Sequence, residues 1–322
     1  MSLKKIICTS VIRSTYQGES HGGCYIVDLE SEKITQVLDW NDGSISWEGR
    51  GNDRGLRGIA FFKKNIYIAA SDEIFVFDDT FKIIKSYRNK YLKHCHEIFL
   101  YNNLLYLTST GFNSILIFDL YKNKFIKGYC IKIKKLRRFN KIIKRIFHFP
   151  DRPELYIFDP EKENGPSPEG TSHINNVYVN GDIVYFSGTK MDSIYCIQND
   201  TLEIYGNIPY GTHNARPYDG KIVFNDTNNN QIALTTIEGH CLETFDIKLY
   251  DENELLMNNL PKDHARQGFG RGLAITKDGL IIGGSSPSTI SVYKRGNKRA
   301  IKTINITMDV RNSIHGLGVF EL

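Results

Sequence analysis

Five of the nine histidines in this 322-residue chain, His94, His96, His173, His213 and His315, fall at or beside the start of a short apolar strand motif. Arg57 and Arg271 open two other copies of that motif, and Asn175 and Asn214 hold the same place in two more. Strand starts need apolar or small residues for packing and have no use for imidazole, guanidinium and carboxamide. Brought together, Arg and His raise the local positive potential and favour a carboxylate, phosphate or sulfate. Neutral imidazole can also bind a metal, or move protons near neutral pH. Glu97, next to His96, is the only acid at a strand start and reads as a general base or an oxygen ligand. In the leading version Arg57 and Arg271 hold an anion, with Asn175, Asn214 and Arg216 as further substrate contacts. Glu97, His96 and His315 are then the acid–base groups. His96, His173, His213 and His315 are candidate ligands for a divalent metal (zinc, manganese, iron or calcium). No HExxH, GxSxG or CxxC motif is present. The glycine-rich runs at 49–58 and 266–272 lead into strands, not helices, so they are not phosphate loops; they let the backbone turn tightly and bring Arg57 and Arg271 inward.

These residues need a scaffold that gathers strand starts, and the repeat supplies one. Residues 57–78 read RGIAFFKKNIYIAASDEIFVFD, three short strands with turn punctuation. Similar wording returns at 96, 175, 214 and 271. Repeats of roughly 40–50 residues built from short strands are the signature of β-propeller blades. IHGLGVFEL at 314–322 matches the start of the motif, and strands are expected at 5–12, 24–29 and 33–39 with no innermost strand before them. The C-terminal strand should therefore complete the blade that the N-terminus begins, which closes the ring and removes two sheet edges. The expectation is an all-β, six-bladed propeller forming a single domain over residues 1–322. In such a ring the loops into the innermost strands surround one mouth of the central channel.

One interval, 96 to 175, is twice the usual length. Residues 131–172 hold five prolines and only one short strand run, at 155–158, so they read as an insertion over the channel face, not a seventh blade. Its opening, KIKKLRRFNKIIKRIF, spaces apolar residues as a helix does and carries eight Lys/Arg between 132 and 145. Without them the formal charge of +5 becomes about −3. The basicity is thus local; no nucleic-acid partner is expected, while the 131–147 helix suits a membrane surface or an acidic partner. Residues 248–270 form a second, loop-rich insertion. The six cysteines are scattered singly, and Cys8, Cys130, Cys196 and Cys241, in or beside strand runs, read as buried thiols. No apolar run is long enough for a membrane span or a secretory signal, which suggests a cytoplasmic protein.

The repeat, the closure and the polar mouth resemble the six-bladed propellers of the NHL-like and calcium-dependent lactonase (senescence-marker/gluconolactonase) superfamily over nearly the whole chain. In those lactonases a Glu, two Asn and an Asp from different blades hold calcium, and the resemblance would offer Glu97, Asn176 and Asp226 as three of the four. The Arg and His ring is similar in kind to six-bladed amidoglycolate lyases, which are secreted and disulfide-bonded, unlike this chain. The wording as a whole is closest to uncharacterised bacterial propeller proteins. The resemblance implies a hydrolase or lyase, metal-assisted in one version, acting on a small polar anion at the channel mouth. The alternative is a non-catalytic propeller that docks a protein or a membrane.

Overall fold

A computed structural model describes residues 5–41, 55–133, 153–262 and 265–320. The chain alternates short strands throughout: β1 (Lys5–Ile12), β2 (Gly23–Asp28) and β3 (Ile34–Asp39), then β4 (Ile59–Phe62), β5 (Asn65–Ala70), β6 (Glu73–Phe77) and β7 (Ile83–Arg88). Blade 3 contains β8 (Ile98–Tyr101), β9 (Leu104–Ser109), β10 (Ser114–Asp119), β11 (Lys124–Ile133) and β12 (Pro153–Phe158). Blade 4 contains β13 (Ile174–Asn180), β14 (Ile183–Gly188), β15 (Ser193–Gln198) and β16 (Thr201–Asn207), and blade 5 contains β17 (Thr212–Tyr218), β18 (Lys221–Asp226), β19 (Gln231–Thr235) and β20 (Cys241–Asp246). Blade 6 holds β21 (Leu273–Ile275), β22 (Ile281–Ser285), β23 (Thr289–Tyr293) and β24 (Lys302–Asn305). The last strand, β25 (Asn312–Phe320), pairs antiparallel with β1, so blade 1 has the order β25-β1-β2-β3. The six sheets form the expected six-bladed propeller, and its closure is as the sequence predicts.

The energy of the ring lies between blades. Each sheet buries both faces at its centre, so β5, β10 and β22 are nearly continuous apolar runs, whereas outer strands such as β7 are largely exposed. Among the described residues, one apolar cluster fills each gap between neighbouring blades. Phe77 and Trp40 lie between blades 1 and 2, and Phe224 lies between blades 4 and 5. Fully burying one such side chain contributes about 1.5–3 kcal/mol.

The long interval resolves into a fifth strand. β12 pairs with the outer edge of β11, in register from Gly128–Phe158 to Ile133–Pro153. Phe158 lies over Gly128, where a Cβ would come within 2.3 Å of the ring, and packs 5.0 Å from Tyr91. Pro153 stands first in an edge strand, the one strand position that does not need its missing N–H. The described part of the insertion thus adds a strand to the rim of blade 3, and its last residues reach the loop face, where Asn113 bonds Thr171 and Ser172. The basic helix expected at 131–147 lies outside the described residues from 134 onward. No helix among the described residues is long and apolar enough to cross a membrane.

One expectation for the cysteines is corrected. Cys8, Cys24, Cys95 and Cys130 are buried, but Cys196 is half-buried and Cys241, at the start of the outermost strand β20, is exposed. Outermost strands have one open face, and a strand-like run in sequence does not say which strand of a blade it is. Burial raises the pKa of the Cys95 thiol to about 12 and pushes Cys8, Cys24 and Cys130 up as well. Since only the thiolate reacts, a thiol-reactive reagent should modify Cys241 rapidly in the native protein and all six cysteines only in denaturant, as intact mass would show.

Candidate functional site

The innermost strands start on one face, and the residues at or before their first positions converge there. Arg57, immediately ahead of β4, has its backbone fixed by blade 1: the Thr9 hydroxyl donates to the Arg57 carbonyl at 2.5 Å and accepts the Gly316 N–H at 2.8 Å. Thr9 sits where the β1–β25 register shifts, so the bulge aims its side chain at the neighbouring blade. A guanidinium nitrogen of Arg57 then lies 2.6 Å from Nδ1 and 3.0 Å from Nε2 of His96 on blade 3. The arrangement repeats across the channel, where a guanidinium nitrogen of Arg271 lies 2.9 Å from Nε2 and 3.2 Å from Nδ1 of His315. His96 and His315 stack with ring centroids 6.3 Å apart, and His173 lies 5.2 Å from His96.

Burial and the nearby guanidinium charges push these imidazoles toward the neutral form. His96 and His315 are held well below the usual histidine range, and His173 falls to about 4. His213 is also held well down, by burial first and then by Arg271. Its Nδ1 lies 2.8 Å from the Thr227 hydroxyl, whose hydrogen goes to the Gly270 carbonyl. The ring's Nε2 is buried without a hydrogen-bond partner. The His213 ring meets Phe269 edge-on at 5.3 Å. Three guanidiniums, those of Arg13, Arg266 and Arg271, lie 4.8–5.3 Å from that same Phe269 ring. The mouth is thus rich in guanidinium charge and lined by imidazoles that add none.

The remaining predicted residues separate from this cluster. Asn175 is buried and its amide reaches the Thr212 carbonyl at 3.4 Å, a contact that ties blade 4 to blade 5. Register shifts at Ile174/Asn176 and His213/Arg216 move each of these strands by a residue, so His173 and His213, not the asparagines after them, reach the mouth. Glu97 makes no hydrogen bond to His96. Its carboxylate accepts the Ile98 N–H at 3.2 Å and the Asn214 side-chain amide at 3.0 Å. Asn214 holds a left-handed φ of 53°, accepts the Gly272 N–H at 3.0 Å and accepts the Asn225 amide at 3.1 Å. Blades 3 and 5 are not neighbours, so the Glu97–Asn214 bond spans the channel.

Beneath this bridge lies a second space, a cavity of about 170 Å³ to which Glu97, Asn176, Asn214 and Arg216 contribute the polar groups. Burial raises the Glu97 pKa to about 7, against the lowering pull of its hydrogen bonds and of Arg216. The predicted site is therefore two sites: Arg57, Arg271, His96, His173, His213 and His315 at the mouth, and Glu97, Asn214 and Arg216 in the cavity. Asp226 joins neither; its carboxylate accepts from Asn229 and Gln231 on the blade's outer side, so the lactonase-like trio of Glu97, Asn176 and Asp226 does not assemble. Among the described residues no group of three or more His, Cys, Asp or Glu converges as a metal-holding set. The ring nitrogens of His96 and His315 that would ligate a cation face guanidinium nitrogens instead. Residues 49–54 of the first glycine-rich run lie outside the described residues. Arg13 and Phe269 were not anticipated; applying the strand-start rule to the ends of second strands would have found Arg13.

No protein-family model matches the chain, and no curated protein matches its sequence. Among solved structures it is similar over its full length to a protein of unknown function from Bacteroides caccae, with 7% identity and a TM-score of 0.58. It is similar to the WD40 propeller domain of Doa1 over 95% of this chain and 80% of that one, with 10% identity and a TM-score of 0.51. Virginiamycin B lyase from Staphylococcus aureus matches 76% of this chain and 71% of its own at 14% identity, with a TM-score of 0.43. At these identities the likeness is one of fold.

Proposed function

We propose that the channel mouth binds a small polar anion and that the protein acts on it as a hydrolase or lyase. The observation that carries this reading is the pair of guanidinium–imidazole contacts, Arg57–His96 and Arg271–His315, set across the channel. Guanidinium supplies planar N–H donors suited to carboxylate or phosphate oxygens. The imidazoles beside it are held neutral, the form that can take up a proton, and a bound anion would offset the guanidinium charge that opposes that uptake. His213, whose Nε2 has no hydrogen-bond partner, is the general base best placed by hydrogen bonding, in the role that the sequence suggests for Glu97. A metal-assisted version would require the guanidiniums to leave the His96 and His315 nitrogens, so the anion alone is the simpler occupant.

The test is an anion titration by calorimetry with inorganic phosphate, sulfate and glycolate. One of them should bind saturably, and Arg271→Ala should weaken it by about 10- to 100-fold, the worth of one charge-assisted contact. Unchanged binding in both Arg57→Ala and Arg271→Ala would place the anion elsewhere. Stoichiometric metal in untagged protein, lost in His96→Ala, would replace this reading with the metal-assisted one. If no anion binds, the docking reading takes its place.

A further inference from the structure

The cavity below the Glu97–Asn214 bridge contains a charge with too few partners. The Arg216 guanidinium carries five N–H groups, and its one hydrogen bond is from Nη2 to the Leu273 carbonyl, at 2.5 Å. Its Nε is buried with no partner, and the Tyr178 ring centroid lies 5.9 Å from Cζ. No ion pair to Arg216 is formed among the described residues, and Glu97, the acid that shares the cavity, spends its oxygens on Ile98 and Asn214. Arg216 as a residue is half-buried, but its Nε is shut away from solvent, and a donor left this way is costly unless something supplies the missing acceptor. Ile59, Phe61, Phe99 and Leu317 line the space beside these polar groups.

We infer that this cavity is a binding site for a short-chain carboxylic acid, its carboxylate on Arg216 and its hydrocarbon tail against Ile59, Phe61, Phe99 and Leu317. One guanidinium offers the two parallel donors that a carboxylate takes. A phosphate carries further oxygens that would need donors beyond this one guanidinium. The volume of about 170 Å³ holds about five or six water-sized groups, which matches an acid of four carbons. Glu97, titrating near neutrality, can stay protonated beside a bound carboxylate and so does not repel it. This site is independent of the anion site at the mouth, since the two share no side chain.

Butyrate is the probe. Calorimetry on the unmodified chain should show saturable binding, at least about 10-fold tighter than for n-butylamine or butan-1-ol, because only the carboxylate meets the guanidinium. The Arg216 Nε–H resonance should shift with butyrate, and millimolar phosphate should not displace it. Arg216→Met, which keeps an unbranched apolar stem and removes the charge, should weaken butyrate about 30-fold or more. Leu317→Phe leaves Arg216 in place and fills the tail space, so it should lose butyrate while retaining acetate; it serves if Arg216→Met does not fold. Absence of saturable butyrate binding, equal binding of the amine, or unchanged butyrate binding in either folded variant would overturn the assignment. Displacement by phosphate would show that butyrate had occupied the mouth instead.

Discussion

Acidification from pH 7 to pH 5 should destabilise the folded protein steeply, and the histidines of the channel mouth should be responsible. His96, His173, His213 and His315 all have folded pKa values below the ordinary histidine value. Between the two values the unfolded chain binds more protons than the folded one, so stability rises with pH across that window and is lost as pH falls through it. For His173, displaced to about 4 from an ordinary value near 6.5, the full loss is about 3 kcal/mol. The other three act in the same direction. Glu97 opposes them: its folded pKa of about 7 lies above the carboxylate range, so its contribution to stability falls as pH rises from about 4 to 7. One carboxylate does not balance four imidazoles. The net effect should therefore be a loss of stability as the pH falls, sizeable against a total of about 5–15 kcal/mol. Urea midpoints by circular dichroism at pH 7.5, 6 and 5 measure the slope, and a His96→Gln/His315→Gln double variant should flatten it. An unchanged slope would assign the titration to other groups.

Replacing Gly316 with alanine should cost roughly 3 kcal/mol or more, near the upper end for a single added methyl group in a packed site. The new Cβ would lie 2.3 Å from the Arg57 carbonyl oxygen and 2.8 Å from the Thr9 hydroxyl. Neither can retreat cheaply. The carbonyl belongs to the innermost strand of blade 2, and the hydroxyl both donates to that carbonyl and accepts the Gly316 N–H. The substitution strikes the seam where the ring closes and also moves Arg57, so anion affinity at the mouth should fall along with the melting temperature. Thr9→Val provides the comparison: it removes the two hydrogen bonds without the clash and should cost about 1–3 kcal/mol. A melting temperature for Gly316→Ala equal to that of the unmodified protein would show that β25 can shift outward without loss.

The architecture could be read from the sequence because it is written in local repeats, each strand–turn–strand unit carrying its own pattern. The closure followed from one matching phrase, since residues 315–317 align with 57–59. The site was legible only in part. The sequence shows which residues stand near strand starts, but a β-bulge is one residue of slack that no apolar pattern reveals. The slack in β13 and β17 decides that His173 and His213 reach the mouth while Asn175 and Asn214 do not. Glu97 illustrates a second limit. Its neighbour in sequence is His96, yet its partners are Asn214 and the apolar cavity, because contacts across the channel depend on the whole ring being assembled. Cys241 shows a third, since the position of a strand within its blade sets exposure.

The pairing of β1 with β25 also dictates an order of events during synthesis. Thr9 and Gly316 are 307 residues apart, and the first leaves the ribosome long before the second exists. Until then β1 has β2 on one side and nothing on the other, and the cluster between blades 6 and 1 lacks β25. Blades 2 to 5 contain no such dependence on the last strand and can form as they emerge, while blade 6 forms its own sheet but waits for β25 to cover its face toward blade 1. The protein should thus be born as an open arc whose first blade waits, and the mouth, with His315 as one wall, becomes a binding site only at the last step of folding.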